Sequence, residues 1–307
     1  MTRSGFGLGL LEAAKTNKDI VALSADLAGS TKVQAFAKKY PDRFFQVGVA
    51  EQNLVTTASG LAHVGKIPYA TSFAAFSPGR NYEQIRTTIA YNDRPVKICS
   101  THTGLGVGED GATHQMLEDI ALMRSLPNMI VIQPCDDLEA KKAAIEISTV
   151  NKPVYLRLTR QNLPQVTKES SKFKIGRADI LRKGEHITII AVGPLVSKAL
   201  EAAKMLEEIG ISAEVINSHT IKPLDTKTIL QSVKKTELVI TAEDHQLAGG
   251  LGSAVAEFLS QNKPVPIKMI AVEDSFGESG NYEQLFDKYK LNSKRIVEEA
   301  KKLIEDF

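Results

Sequence analysis

The 307-residue sequence predicts an α/β protein: a parallel sheet with helices on both faces, followed by a smaller α/β unit. Three observations carry that prediction. Short β-branched runs alternate with helical patterns through roughly the first 160 residues, the spacing of a parallel sheet. The alternation fades into a polar stretch over Gln161–Glu185 and then resumes. The chain is 43% hydrophobic and 24% charged, enough to bury two cores, which excludes disordered and collagen-like classes.

In chain order, Met1–Asn17 breaks its apolar run with glycines and reaches an acid at Glu12, so it reads as a poor signal peptide. Strands are expected at Ile20–Asp26, Arg43–Val49, Lys66–Ser72, Pro95–Thr101, Met129–Cys135 and Pro153–Thr159. Helices are expected between them at Thr31–Tyr40, Glu51–His63, Tyr82–Asn92, Met116–Ser125 and Asp137–Val150. The second unit follows with strands at His186–Gly193, Ser212–Ser218, Glu237–Glu243 and Ile267–Asp274, and helices at Ser197–Ile209, Asp225–Val233 and Leu251–Gln261. Domains are therefore expected at 1–163 and 186–307, joined by a connection over 164–185 whose few apolar residues leave room for a strand.

Net charge is only +2, from 38 basic and 36 acidic residues, so nothing suggests nucleic acid as a partner. No apolar run approaches the roughly 20 residues that span a membrane. Cys99 and Cys135 are far apart and belong to no Cys-x-x-Cys pair, which argues against a disulfide framework or structural zinc and suits a reduced, cytoplasmic setting.

Ligands of open α/β sheets bind at the carboxyl ends of strands. Polar or aromatic residues follow four of the first five strands: Asp26–Thr31, Glu51 with Gln52 and Asn53, Phe73–Arg80, and Cys99–Gln115. Asp26, Ser30 and Glu51 also suit helix caps, and Phe73 with Phe76 has the i, i+3 spacing of helix packing as well as that of an aromatic ledge. The loop Cys99–Gln115 is the densest segment, with His102, His114, adjacent acids Glu109 and Asp110, and four glycines. It reads as an active-site loop. Its Gly106–Gly111 run imitates a dinucleotide fingerprint, but the two carboxylates stand where a pyrophosphate would sit. The histidines lack the spacing of a helical zinc pair and have no third histidine nearby, so no metal ligand is assigned; proton shuttles or donors around a sugar or carbonyl oxygen remain open. Arg160 ends its strand where a guanidinium can meet a phosphate, as can Arg3 at the start, although a salt bridge is the commoner fate of one arginine. Ala248–Gly252 opens a helix and reads either as an anion site or as a tight strand-to-helix turn.

Five separated segments carry a resemblance over nearly the whole chain: Ser24–Ser30 (SADLAGS), Gly48–Asn53 (GVAEQN), Thr71–Phe76 (TSFAAF), Ser100–Met129 and Arg157–Leu163 (RLTRQNL). Together they resemble transketolase, a thiamine diphosphate enzyme. The stretch Ser77–Gln84 is one residue longer than the usual family spacing, which blurs the place of Arg80. The resemblance implies a pyrimidine-binding domain followed by a transketolase C-terminal domain. It implies that Glu51 bonds the cofactor's pyrimidine as a buried, protonated carboxyl, that Phe73 and Phe76 hold the ring, and that Asp26 lies close by. It further implies that His102, Asp110 and His114 face the ketose and that Arg3, Ser30 and Arg160 bind the sugar phosphate. Glu51, His102 and His114 are then the catalytic candidates, for a two-carbon ketol transfer between sugar phosphates through a thiamine diphosphate carbanion.

The family's separate diphosphate-binding unit, with its Gly-Asp-Gly segment, has no counterpart here; Gly108–Gly111 only imitates it. The expectation is therefore the C-terminal subunit of a split transketolase of pentose phosphate and carbohydrate metabolism. An N-terminal subunit is expected to hold the diphosphate and Mg²⁺, or another divalent cation, in an α2β2 heterotetramer. The rivals are the beta subunit of a 2-oxo acid dehydrogenase decarboxylase component, a deoxyxylulose-phosphate synthase-like enzyme, and a regulatory chain that keeps the fold. Thr113-His114-Gln115 and Arg160-Gln161-Asn162 favour transketolase.

Overall fold

The structure is a computed structural model describing residues 1–307. Helix α1 (Thr2–Thr16) leads into β1 (Ile20–Ser24), α2 (Gln34–Lys39), β2 (Phe44–Gln46), α3 (Glu51–His63) and β3 (Ile67–Phe73). A short α4 (Tyr82–Gln84) continues into a π-helical turn over Ile85–Ala90, where the sequence pattern predicts one regular helix. Then come β4 (Lys97–Thr101), α5 (Asp119–Ser125), β5 (Ile130–Ile132), α6 (Asp137–Glu146) and β6 (Val154–Arg157). The remaining elements are β7 (Asp179–Arg182), β8 (Ile187–Ala191), α7 (Leu195–Glu207), β9 (Ala213–Asn217), β10 (Thr220–Lys222), α8 (Thr226–Thr236), β11 (Val239–Gln246), α9 (Leu251–Asn262), β12 (Ile267–Val272), α10 (Tyr282–Lys288) and α11 (Ser293–Asp306).

The first sheet has seven strands in the order β10-β5-β6-β4-β3-β1-β2, parallel except for β10. The chain leaves β2 for the far side of β1, so the strand order reverses between β1 and β3. That reversal opens a crevice at the carboxyl ends of β1, β3 and β4. The second sheet runs β12-β11-β8-β9-β7, with β7 antiparallel at its edge. Strand β7 falls inside 164–185, while β10, beyond the second unit's first strand, returns to pair with β5. One apolar core joins Val21, Leu54 and Ile98 of the first unit to Ile190, Ile216 and Leu251 of the second.

Helix α1 rides unusually close to α6. A Cβ built on Gly5 would lie 1.8 Å from the carbonyl oxygen of Asp137, and one on Gly9 2.3 Å from that of Lys141. The glycines that break the apolar run of the N-terminus are what this approach requires. Thr2 Oγ1 accepts the Thr159 N–H at 2.7 Å, which ties the start of α1 to the exit of β6 and fixes Arg3 beside Arg160. No helix is long and apolar enough to cross a membrane.

Candidate functional site

Glu51 is the first residue of α3 and only 5% exposed. It does not cap the helix: the N-cap is Ala50 and no side-chain capping bond forms. Its carboxyl instead accepts from Arg80 Nη1 at 3.3 Å, while Asn81 Nδ2 donates to its backbone carbonyl at 2.8 Å. The Arg80 guanidinium lies 4.2 Å over the Phe76 ring, so a single cation bridges the buried carboxyl and the aromatic ledge. Phe73, ending β3, and Phe76, in the turn beyond it, stack at 5.9 Å with 22° between their planes. Their spacing is not that of a packed helix here; both stand half-buried at the sheet edge.

The histidines join this ledge. His102 packs its ring 3.7 Å from that of Phe73, and His114 sets its edge 5.4 Å from Phe76. His102 follows β4 with φ of 58°, a left-handed conformation rare for a β-carbon-bearing residue and concentrated at functional sites. Its Nε2 faces Arg3 Nη1 at 3.1 Å and its Nδ1 faces Thr101 Oγ1 at 2.7 Å. Arginine can only donate, so Nε2 is the acceptor and the ring proton sits on Nδ1, pointing at Thr101. Burial, and then the charges of Arg3 and Arg160, drive the His102 pKa down to about 3. His114 is oriented in a similar way, with Thr113 Oγ1 3.0 Å from Nδ1.

Arg3 Nη1 also donates to the Ser30 carbonyl at 3.0 Å, so it is the backbone of Ser30 that the arginine holds. The Ser30 side chain is no helix cap; its residue lies exposed in the turn before α2. Arg160 Nη1 donates to the Val107 carbonyl at 2.7 Å and pairs with Asp110 at 3.3 Å, and Glu109 lies 3.8 Å away. The two carboxylates that oppose a pyrophosphate are thus answered by the strand-end arginine. Arg3, Glu109, Arg160, Asn162, Asn281 and Tyr282 line an adjoining cleft of ≈ 700 Å³. Asp26 lies two residues past β1, at the carboxyl end of the sheet. It is exposed at φ 61°, and its amide donates to Gln46 Oε1 at 2.7 Å.

The second unit reaches into this loop, a feature no local motif announced. Buried Asp244 accepts the Leu105 N–H at 2.9 Å, and a Cβ on Gly104 (φ +70°) would lie 2.0 Å from the Asp244 carboxylate. Gln115 Nε2 donates to the Glu278 carbonyl at 2.9 Å. Behind the loop, Asp119 and Arg157 form an ion pair at 2.7 Å with both side chains 0% exposed, and Tyr155 donates to the same carboxylate at 2.6 Å. The candidate anion site at the start of α9 is filled by the chain itself: Glu243 accepts the N–H groups of Leu251 and Gly252, each at 2.7 Å. Arg80 and Asp244 are therefore the contributors that spacing left obscure, since each acts on residues distant in sequence.

Residues 1–166 match the family described as transketolase, pyrimidine binding domain, and 176–296 match transketolase, C-terminal domain. A protein of Methanocaldococcus jannaschii, provisionally named a transketolase C-terminal section, is 46% identical, with 98% of this chain and 96% of that one aligned. A 6-deoxy-6-sulfo-D-fructose transketolase subunit of Clostridium sp. is 42% identical over 96% of this chain and 92% of its own length. Among solved structures, one titled as a split gene transketolase in an inactive beta4 tetramer superposes with a TM-score of 0.93 at 45% identity. It covers 99% of this chain and 98% of its own.

Proposed function

Because the chain belongs to the transketolase family of thiamine diphosphate enzymes, as a split C-terminal subunit, we propose that it supplies the pyrimidine-facing and substrate-facing half of a ketol-transfer site. The observation that carries this reading is the shared edge on which the buried carboxyl of Glu51, the stacked Phe73–Phe76 pair, two histidines and two arginines lie next to one another. A buried carboxyl beside a flat apolar ledge fits the pyrimidine end of thiamine diphosphate, which Glu51, Phe73, Phe76 and Asp26 would hold. When bound, that cofactor supplies a nucleophilic carbon able to keep the electron pair released as the sugar's carbon–carbon bond breaks. Its diphosphate and Mg²⁺, or another divalent cation, belong in this reading to an N-terminal partner subunit in an α2β2 assembly.

The chain's own groups divide the remaining work. Arg3 and Arg160 make a cationic wall suited to a tetrahedral anion at the end of a sugar, phosphate above all. The relative named for a sulfonated fructose supports an anionic sugar of this class. Neutral His102 directs its Nε2 lone pair at Arg3 and is too weak a base to take a hydroxyl proton, so it positions that guanidinium; the donor role expected of it passes to Arg3 and His114. Asp110, held by Arg160, lies where the sugar hydroxyls would run.

The test is reconstitution. The purified chain alone should show negligible ketol transfer from xylulose 5-phosphate, and activity should appear once the N-terminal subunit, thiamine diphosphate and Mg²⁺ are added. Glu51→Gln should abolish it with the fold intact. Full activity from the single chain would remove the need for a partner, and turnover of pyruvate without turnover of the ketose phosphate would move the chain to the 2-oxo acid or deoxyxylulose-phosphate reading.

A further inference from the structure

Away from the sheet edge, chemistry-bearing side chains from three segments meet at the seam between the units. Glu139 of α6, Asp179 of β7 and His219, just past β9, bring one ligand atom each to within 4.8 Å of one another. Glu139 and His219 are buried and Asp179 is half-buried. Neither carboxylate forms an ion pair. Lys142, at the wall of the adjoining cavity, gives its ammonium to the carbonyls of Lys168, Glu169 and Ser171 at 2.7, 2.9 and 2.7 Å. Lys172, at the same wall, is exposed and pairs with nothing. A buried carboxyl with a second, half-buried one beside it and no cation to answer either is a costly arrangement unless something positive completes it.

The imidazole points to what that is. His219 is 1% exposed, its ring lies 4.3 Å from that of Phe173, and its Nε2 has no hydrogen-bond partner. Buried polar atoms are seldom left unpaired. Its Nδ1 lies 3.0 Å from Thr220 Oγ1, so a proton held there leaves Nε2 as a free lone pair. A hydrogen bond from one ring nitrogen that orients the other is the usual support of a metal-binding histidine. Glu139 is braced in the same sense, with Oε1 accepting from Asn217 Nδ2 at 2.8 Å and Oε2 from the Cys135 N–H at 2.7 Å. The cavity against Glu139, Asp179 and Phe173 measures ≈ 10 Å³, room for about one water-sized particle.

We propose that Glu139, Asp179 and His219 bind one divalent transition-metal cation of the zinc class, tying α6 of the first unit to β7 and to the exit of β9. One imidazole nitrogen with two carboxylate oxygens suits such an ion, whereas Mg²⁺ and Ca²⁺ prefer oxygen throughout. This site is separate from any Mg²⁺ that accompanies a cofactor, and does not depend on the proposed reaction. No sequence motif marks it, since the three ligands come from distant segments.

The experiment uses the full chain, stripped with a chelator and dialysed against Zn²⁺, with bound metal measured by mass spectrometry and stability by thermal melting. We expect one Zn²⁺ per chain and a raised melting temperature, neither reproduced by Mg²⁺. Asp179→Asn and His219→Ala should each weaken binding at least tenfold, while His63→Ala, at an exposed histidine, should leave it unchanged. Absence of a stoichiometric zinc ion, or binding equally tight in both variants, would overturn the proposal. If His219→Ala fails to fold, Asp179→Asn at its half-buried position decides by the same criterion.

Discussion

An imidazole wedged against one guanidinium and near a second has little room for a charge of its own. His102 shows the consequence: burial, Arg3 and Arg160 hold its pKa at about 3, against an ordinary value of 6.5. The unfolded chain therefore takes up a proton that the native state refuses, so stability is at its plateau above pH 6.5 and falls as pH drops from there toward 3. Each pH unit within that window costs about 1.4 kcal/mol for a fully shifted group. Urea denaturation at pH 7 and pH 4.5 should show His102→Gln losing less stability on acidification than the parent, by roughly 2 kcal/mol. His219 and His245, also driven down to about 4 by burial, act alike in both proteins and cancel in the difference. Equal losses would mean that His102 is not held neutral. The sequence flagged this residue because it sits with His114 in a glycine-rich loop after a strand. Its electrostatic setting was not legible, because Arg3 lies 99 residues away and only the fold brings it to Nε2.

At the scale of elements, the alternation of β-branched runs and helical patterns carried the parallel sheet well, because a buried strand needs little beyond its own apolar run. It failed where tertiary contact supplies the reason for an element. Helix α1 was not expected, since three glycines within Gly5–Gly9 lower helix propensity; the close seat on α6 makes up the difference. Strand β10 is three residues long and exists through its pairing with β5. The same residue type accordingly has opposite meanings in two helices. Gly5→Ala places a methyl group against a backbone carbonyl and should destabilise by about 1–3 kcal/mol or more, the range of an overpacked contact. Gly60→Ala, on α3 with nothing within 4 Å, should instead stabilise by about 0.5–1 kcal/mol. Thermal melts of the two variants check the pair, and a shift of the same sign in both would show that helix propensity, not the α1–α6 approach, governs α1.

For the molecule as a whole, the second unit is more than an appendage, because it braces the loop that follows β4 of the first. Residues 104–111 take three glycines at positive φ, a segment with little intrinsic preference for one shape. Arg160 holds it from one side through the Val107 carbonyl, and Asp244 and the Glu278 carbonyl hold it from the other. Asp244 pays for burial with a pKa raised to about 6, a cost offset by the nearby Arg157 charge and the Leu105 N–H. A carboxylate kept there under that cost makes sense as a positioning group, and the glycine at 104 leaves space for it. Removing the acceptor with Asp244→Ala forfeits a buried hydrogen bond to a charged group, worth about 1.5–3 kcal/mol. If the loop's shape matters to turnover, the reconstituted complex should lose roughly tenfold in kcat, the equivalent of about 1.4 kcal/mol. Asp244→Asn keeps an oxygen for the Leu105 amide and should recover most of that loss. Hydrogen exchange gives a readout independent of activity: the Leu105 amide should lose protection in Asp244→Ala and keep it in Asp244→Asn. Should Asp244→Ala leave both the amide and kcat unchanged, the second unit does not brace the loop, and the shared apolar core would be its whole contribution to the first.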